Sequence, residues 1–401
     1  MRDPRSELEA IRKAQLYRSC LSVERGERAQ FRQGDRPLWD FGSNDYLGLA
    51  AEPEFVAAFQ DAIGEYGVGA GASRLITGTH SPHRALEDAI ADFKRAERAI
   101  TFASGFATAI GAIPALVGKE DVVILDKLCH ACLIDGARLS GAAMRVFPHN
   151  DLEKAEQHLQ WARKRVGAQG RILLITESVF SMDGDVSNLK ALVALKEEFE
   201  AVLLVDEAHA VGCLGPQGRG WAEEEGVATK VDLQMGTFSK ALGCAGGYLA
   251  GGNAWIELLI NRARSFIFST AVPPALADVA HRAIQWVGGE WGEERRGLLR
   301  RVREAWGLSP EVRALTPIVP FQIGDSAAAL AWSERLKEEG FWVPAIRFPT
   351  VPKGTERLRV SLRSTLPLSA VRELAEKLHA WQDEAVLERS LGRAARIGED
   401  S

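Results

Sequence analysis

The chain has 401 residues, 46% hydrophobic and 26% charged, a globular composition long enough for two domains with cores of their own. Its 49 lysines and arginines against 54 aspartates and glutamates leave a net charge of −5. That argues against a nucleic-acid or anionic-membrane surface as the main partner, and the balanced charge with 7% aromatics argues against disorder as the dominant state.

Met1–Ala10 mixes Arg, Asp and Glu without the apolar run of a secretory leader, and five cysteines, few and odd in number, fit a reduced, cytoplasmic setting. An amphipathic helix is predicted near Leu8 to Leu21, within an N-terminal segment taken as residues 1–44. Ala99 to Gly118 is uncharged and about as long as a membrane span, but Ser104, Gly105, Gly111 and Pro114 dilute it. It reads as a buried strand, loop and helix. Val122–Asp126, Arg171–Glu177 and Ala201–Asp206 are short, continuous Val/Ile/Leu runs, the pattern of strands buried on both faces of a parallel sheet. Asn188 caps a predicted helix reaching Glu200, with Leu192, Leu195 and Phe199 on one stripe. The repeated strand–helix–strand pattern gives a large α/β domain over residues 45–280 with a mainly parallel central sheet.

A smaller C-terminal α/β domain follows at residues 281–387. Its predicted elements are a strand over Thr316–Gly324, a helix Ser326–Glu339 ended by Gly340, a strand Phe341–Phe348, an alternating strand Arg357–Arg363 and a closing helix marked by Val371, Leu374, Leu378 and Trp381. Residues 388–401 read as a polar, flexible tail.

Open α/β sheets bind ligands beyond the carboxyl ends of their strands, so polar residues after apolar runs are the first candidates for chemistry. The chain offers Asp126 with His130, Glu177 with Ser181, Asp206 with His209, and Thr237 with Ser239 and Lys240. Any one of them alone is more simply a satisfied loop residue. Asp206 ends an apolar run, where a carboxylate needs a cationic partner: a salt bridge, a cap, or a protonated ring nitrogen. A desolvated Lys240 has a lowered pKa and can form a Schiff base. Ala103-Ser-Gly-Phe-Ala-Thr108 is a small-residue turn feeding a helix, which suits an anion. Gly67-Val-Gly-Ala-Gly-Ala-Ser-Arg74 lacks both a preceding strand and the spacing of a dinucleotide fingerprint. Cys129-His-Ala-Cys132 resembles half of a zinc site without a second pair, so no metal is expected. Along Arg357–Arg363 the arginines share one face, where most would be solvated and one could clamp a carboxylate.

Asp206-Glu-Ala-His209 followed by Thr237-Phe-Ser-Lys240 resembles the fold-type I pyridoxal phosphate enzymes, and within them the α-oxoamine synthases. The resemblance extends from Ser43-Asn-Asp-Tyr-Leu-Gly-Leu49 to about Leu378. It includes Gly71–Thr79, His83-Arg-Ala-Leu-Glu87, Ser178-Val-Phe-Ser-Met-Asp-Gly184 and Arg264–Thr270. It implies that Lys240 carries pyridoxal 5′-phosphate, that Asp206 pairs with the ring nitrogen, that His209 and Ser181 lie near the ring hydroxyl, and that His130 stacks on the ring. Ser104, Gly105, Phe106 and Thr237 would meet the phosphate, joined by Thr270 from a second subunit of a homodimer with shared active sites. Arg359 would hold the amino-acid carboxylate with Asn44 nearby, and Arg18 would contact the acyl substrate. Ala210 stands where many relatives have Gly or Ser.

The segment Pro349–Leu362 is most similar to the biotin-pathway branch. That branch condenses L-alanine with a pimeloyl thioester, of coenzyme A or an acyl carrier protein, with loss of carbon dioxide. Glycine- and serine-using members share the same catalytic motifs. A plain aminotransferase is the alternative from another class, and a catalytically silent partner subunit is disfavoured by the presence of Lys240.

Overall fold

The computed structural model describes residues 3–14, 16–27, 29–308 and 316–399, with side chains as far as Glu384. Met1, Arg2, Asp400 and Ser401, at the ends of the expected N-terminal segment and tail, lie outside the described residues, as does Gln15 within the expected first helix. That helix forms earlier than expected, over Pro4–Lys13, because Asp3 accepts the N–H of Arg5 and Pro4 is preset for the first turn. None of its residues is buried; Leu8 and Ile11 are 41% and 40% exposed, so its apolar stripe does not join the core.

Three short N-terminal strands, β1 (Glu24–Arg25), β2 (Gln30–Gln33) and β3 (Arg36–Asp40), follow. Then come the strands of the central sheet: β4 (Arg98–Phe102), β5 (Val122–Asp126), β6 (Ala143–Phe147), β7 (Ile172–Glu177), β8 (Val202–Asp206), β9 (Leu233–Thr237) and β10 (Gly247–Gly251). They lie side by side in the order β4-β10-β9-β8-β7-β5-β6, parallel except for β10, which is antiparallel to both β4 and β9. The continuous apolar runs divide by the twofold period of a strand. Val122, Ile124, Ile172, Leu174, Leu203 and Val205 enter one core, and Val123, Leu125, Leu173, Ile175 and Leu204 enter the other. Helices cover both faces. Asn188 caps Leu189–Glu198 by accepting the N–H of Ala191, and Ser104 caps Gly105–Leu116 by accepting that of Ala107. No helix among the described residues is long and apolar enough to cross a membrane.

The C-terminal part holds β11 (Ile318–Gln322), β12 (Phe341–Trp342), β13 (Ala345–Ile346) and β14 (Arg357–Ser361). The single strand expected over Phe341–Phe348 is thus divided between two sheets. β12 runs parallel to β3, while β13 joins β14 in the sheet β11-β14-β13. Pro344 lies between them and has no N–H with which to continue one ladder; its carbonyl instead accepts the N–H of Arg359. Through β3 and β12 the N-terminal segment and the C-terminal part share a four-stranded sheet. Val371, Leu374, Leu378 and Trp381 are buried as expected, on a closing helix that runs from Leu368 to Glu399, past the point where an irregular tail is read from sequence.

Candidate active site

Parallel strands end together. Because β10 reverses direction twice over, β4 points the same way as β9, so Ala103–Gly105, Glu177, Asp206 and Thr237 all arrive at one edge of the sheet. There a cavity of 210 Å³ is lined by Ser104, Gly105, Phe106, His130, Glu177, Asp206, His209, Thr237 and Lys240, among others. These nine residues, all singled out from the sequence, therefore converge on one space, which is where an open α/β sheet places its ligand.

Lys240 is the centre of its polarity. Its Nζ lies 2.8 Å from His209 Nε2, and His209 Nδ1 lies 2.7 Å from the Tyr46 hydroxyl. Tyr46 in turn donates to Asn44 Oδ1 at 3.1 Å, and Arg359 donates to both, at 3.3 Å to the Tyr46 hydroxyl and 3.1 Å to Asn44. One proton arrangement satisfies the whole chain: the lysine donates to Nε2, and Nδ1–H donates to the tyrosine oxygen, leaving its hydroxyl for Asn44. The imidazole is neutral in that arrangement. Burial, with the positive charges of Lys240 and Arg359, holds the pKa of His209 well below its ordinary value, in agreement.

Asp206 and Glu177 supply the opposing charge. Asp206 accepts the N–H of Ala208 at 2.9 Å, and burial raises its pKa while the charge of Lys240 resists the rise. Glu177 sits opposite Asp206 in the β7–β8 register and accepts the backbone N–H of His130. Burial and the neighbouring Asp206 raise its pKa. Lys240 is lowered by burial against the pull of these two carboxylates. A lysine in this setting gives up its proton more easily than one in water, which suits covalent and base chemistry.

One end of the cavity is built from backbone. Ser104 caps the helix Gly105–Leu116, whose first N–H groups have no acceptor within the helix. Glycine is required here by space: a Cβ on Gly247 would lie 2.6 Å from the Gly105 nitrogen. Thr237 donates its hydroxyl to Gly246 O at 2.7 Å and lies 2.8 Å from the Ser239 hydroxyl. His130 caps the next helix, Ala131–Ser140, by accepting the N–H of Cys132.

Several expectations are corrected. The arginines of β14 and the residues just after it are not solvated: Arg357, Arg359 and Arg363 are 4%, 4% and 7% exposed. The alternating pattern reflects a strand buried on both faces, its polar face closed over by the loops at the active-site edge. Arg357 pairs with Asp183 at 2.5 Å, and Arg363 binds the carbonyls of Ala29 and Asp40. Arg359 is different. It donates to Ser181 O at 2.6 Å and to the Ser361 hydroxyl at 2.8 Å, and among the described residues it has no carboxylate partner. Of the two candidates after β5, His130 lines the cavity, whereas Asp126 accepts from His149 Nδ1 at 3.1 Å and from the N–H of Asn150. All five cysteines are free, and among the described residues no group of three or more His, Cys, Asp or Glu could hold a metal ion.

Five predicted residues, Arg18, Asn44, Ser181, Thr270 and Arg359, do not line this cavity, and Asn44 and Arg359 are tied to it through Tyr46 and His209. Arg18 lines an adjoining 600 Å³ cavity, which also contains His130 and Ser181, and donates to Thr350 Oγ1 at 3.1 Å. Thr270 is exposed, its backbone bridged to Ser73, beside exposed Phe268. Sequence reasoning missed Tyr46, which is wholly buried and ties His209 to Arg359, and gave Glu177 no role. The signal for Tyr46 is a tyrosine enclosed in Asn44-Asp-Tyr-Leu, since a buried phenol needs a polar partner.

The sequence profile described as aminotransferase class I and II matches residues 36–378. The 8-amino-7-oxononanoate synthase of Geobacter sulfurreducens is 44% identical over 98% of this chain and 97% of its own length, and that of Herminiimonas arsenicoxydans is 41% identical over 94% and 98%. The chain belongs to this family of synthases. Among solved structures, the serine palmitoyltransferase of Sphingomonas wittichii superposes with a TM-score of 0.85 at 30% identity, covering 94% of this chain and 96% of that one. A structure described as SPT with a PLP internal aldimine reaches 0.84 at 28%, with the same coverage. The 8-amino-7-oxononanoate synthase of Francisella tularensis reaches 0.72 at 26%, over 87% and 99%. The family is therefore one of fold-type I enzymes, and Lys240, Asp206 and His209 line the cavity at the carboxyl edge of its sheet.

Proposed function

We propose that this chain condenses L-alanine with a pimeloyl thioester, releasing carbon dioxide and the thiol to leave 8-amino-7-oxononanoate, a step of biotin biosynthesis. The observation that carries the reading is a buried lysine and a buried aspartate facing one cavity at the carboxyl edge of the sheet, beside a helix N-terminus shaped for an anion. This fits pyridoxal 5′-phosphate, which needs an amine to hold its aldehyde, a carboxylate for its ring nitrogen and donors for its phosphate. Asp206 would take the ring nitrogen, His209 and Ser181 the ring hydroxyl, and His130 the ring face. Ser104, Gly105, Phe106 and Thr237 would hold the phosphate with Thr270 of a second copy of the chain.

When bound, the cofactor supplies an electron-withdrawing ring that takes up the electron pair released at the substrate Cα. The rest is done by the protein. Arg359, positioned by Asn44, Tyr46 and Ser181 and lacking a carboxylate of its own, binds the amino-acid carboxylate. Lys240, its pKa lowered by burial, would hold the cofactor's aldehyde and, when free, act as the base that removes the Cα proton. Asp206 would hold the ring nitrogen in its protonated form, so that the positive ring could take up the electron pair. Neutral His209 offers Lys240 a nearby acceptor through Nε2. Arg18 and the larger outer cavity receive the acyl chain.

A serine-using reading is favoured by one observation, the higher structural similarity to serine palmitoyltransferase. Against it stands 44% identity over nearly the whole chain to a relative named for the alanine-derived product, compared with 30% for that transferase. The active form is a cytoplasmic homodimer. Exposed Val68, Ile76 and Phe268, at 81%, 75% and 70%, offer apolar surface of the kind a second copy would cover.

Two experiments test the proposal. Borohydride reduction, digestion and mass analysis should find a pyridoxyl group on Lys240; its absence removes the cofactor assignment. Alanine, glycine and serine crossed with pimeloyl, acetyl and palmitoyl thioesters should give product mass and thiol release chiefly with alanine and pimeloyl. A preference for another pair overturns the substrate assignment alone.

A further inference from the structure

A further cavity, of 160 Å³, lies between the segment Cys213–Gly215, Trp221 and the helix Glu290–Ala305, and shares no lining residue with the Lys240 cavity. It is far larger than the about 10–15 Å³ that one water requires. Arg296, Arg300 and Arg303 line it, spaced at i, i+4 and i+7 and hence on one face of their helix.

Two of these arginines are almost wholly buried, Arg296 at 5% and Arg303 at 3% exposure. Arg296 donates to Val287 O at 2.8 Å and Pro216 O at 3.5 Å, both neutral acceptors. Arg303 is barer still, since its Nε and Nη1 are buried and meet no acceptor. Among the described residues neither arginine forms an ion pair. The acid on the lining, Glu224, is exposed, as is Arg300. Burial draws the pKa of Arg303 down to about 10, which still leaves it charged at neutral pH. A buried charge with unmet donors is strongly unfavourable unless a counter-charge accompanies it.

We propose that this cavity is a binding site for a small oxyanion, phosphate or carboxylate, held by the unpartnered donors of Arg303 with Arg296 beside it and Arg300 at the mouth. A planar fork of donors facing such a group is the arrangement in which arginine binds phosphate and carboxylate best. The condensation reaction does not use these residues, so the site is additional to it.

The test uses the cofactor-loaded enzyme, whose active-site phosphate position is filled, in phosphate-free buffer of fixed ionic strength. Inorganic phosphate and, separately, acetate are titrated by calorimetry and by thermal unfolding against chloride. Saturable binding of one oxyanion per chain is expected, and the arm that binds more tightly identifies the class. Arg303→Met should weaken it at least tenfold. That variant should unfold at a higher temperature than the parent without the anion and at a lower one with saturating anion, because an apolar side chain removes both the uncompensated charge and the site. Arg300→Ala, which leaves the interior untouched, should weaken binding severalfold without changing KM for alanine. No stabilisation beyond that of chloride, or a dissociation constant unchanged by Arg303→Met, overturns the proposal.

Discussion

Asp206 and Glu207 are neighbours in the chain, yet they serve opposite sides of the molecule. Glu207 turns into the core, where Lys94 Nζ reaches its Oε2 and the N–H of Ala222 reaches its Oε1. Lys94 also donates to the carbonyl of Arg219, and both side chains are closed to solvent, at 1% and 0% exposure. Asp206 faces the cavity with a backbone N–H from Ala208 and the charge of Lys240 nearby. A carboxylate and a lysine thus occur twice within two residues of one strand end. In the closed pair each charge is committed to the other. In the open one the charges share a cavity, and their protons can move. What separates a structural pair from a chemical one here is the space beside it.

Breaking the open side should have the largest effect. Lys240→Ala removes both the group that holds the cofactor and the base, so turnover should fall by more than about 10⁴-fold, the upper end of what a general base alone contributes. The visible absorbance of the purified protein should vanish with it. Turnover within tenfold of the parent, with colour retained, contradicts the assignment.

The closed pair should respond in stability instead. Lys94→Met leaves Glu207 charged and buried without its partner, which costs about 3–5 kcal/mol. Urea unfolding should show this loss, while kcat per folded enzyme stays within severalfold of the parent. Adding Glu207→Leu should recover part of it. If the single variant is as stable as the parent but inactive, the comparison fails, because the pair would then belong to the chemistry.

Asp206→Asn tests the open carboxylate in isolation. The fold should persist, and exchange of the alanine α-proton with deuterated solvent should slow by about 10²–10³-fold, the effect of removing one fixed electrostatic partner. Exchange near the parent rate would show that the ring nitrogen does not depend on this group.

Much of this contrast is legible in sequence, and the reasons are local. Val-Leu-Leu-Val before Asp206 and the apolar segment before Thr237 announce strand ends, and a parallel sheet brings strand ends together whatever the intervening helices are. The capping roles of Asn188 and Ser104 follow from side-chain chemistry over three residues. What depends on distant partners is not legible. Glu207 and Lys94 are 113 residues apart. The buried face of Arg357, Arg359 and Arg363 looks like an exposed one, because alternation alone does not say what covers a strand. Tyr46 acquires its role only when residues 44–46 fold against the residue 209 loop and β14. The division at Pro344 has a local cause, the missing N–H, but which sheet each half joins is decided by β3 and β14.

A third pairing lies between the two extremes and should give the smallest effect. His149 bridges Asp126, 1% exposed at the end of β5, and Asp185, 46% exposed in the hairpin that carries Ser181, with Phe180 edge-on at 4.3 Å. Burial opposes charge on this imidazole, but the hydrogen bonds and charges of Asp126 and Asp185 outweigh it and raise the pKa from 6.5 to about 10. A group whose pKa rises on folding contributes stability that is full below its unfolded value and is lost as pH climbs through its folded one. His149→Gln should therefore be less stable than the parent by about 1–2 kcal/mol at pH 6, less than a fully buried charge-assisted bond gives because Asp185 is half in water. The gap should be full below pH 6.5, shrink as the pH rises above it and be gone by about pH 10. Urea unfolding at pH 6, 8 and 10 measures it. A gap that stays constant across the three would mean that the ring acts by packing on Phe180 and not by its charge, and the pairing would then belong with neither extreme.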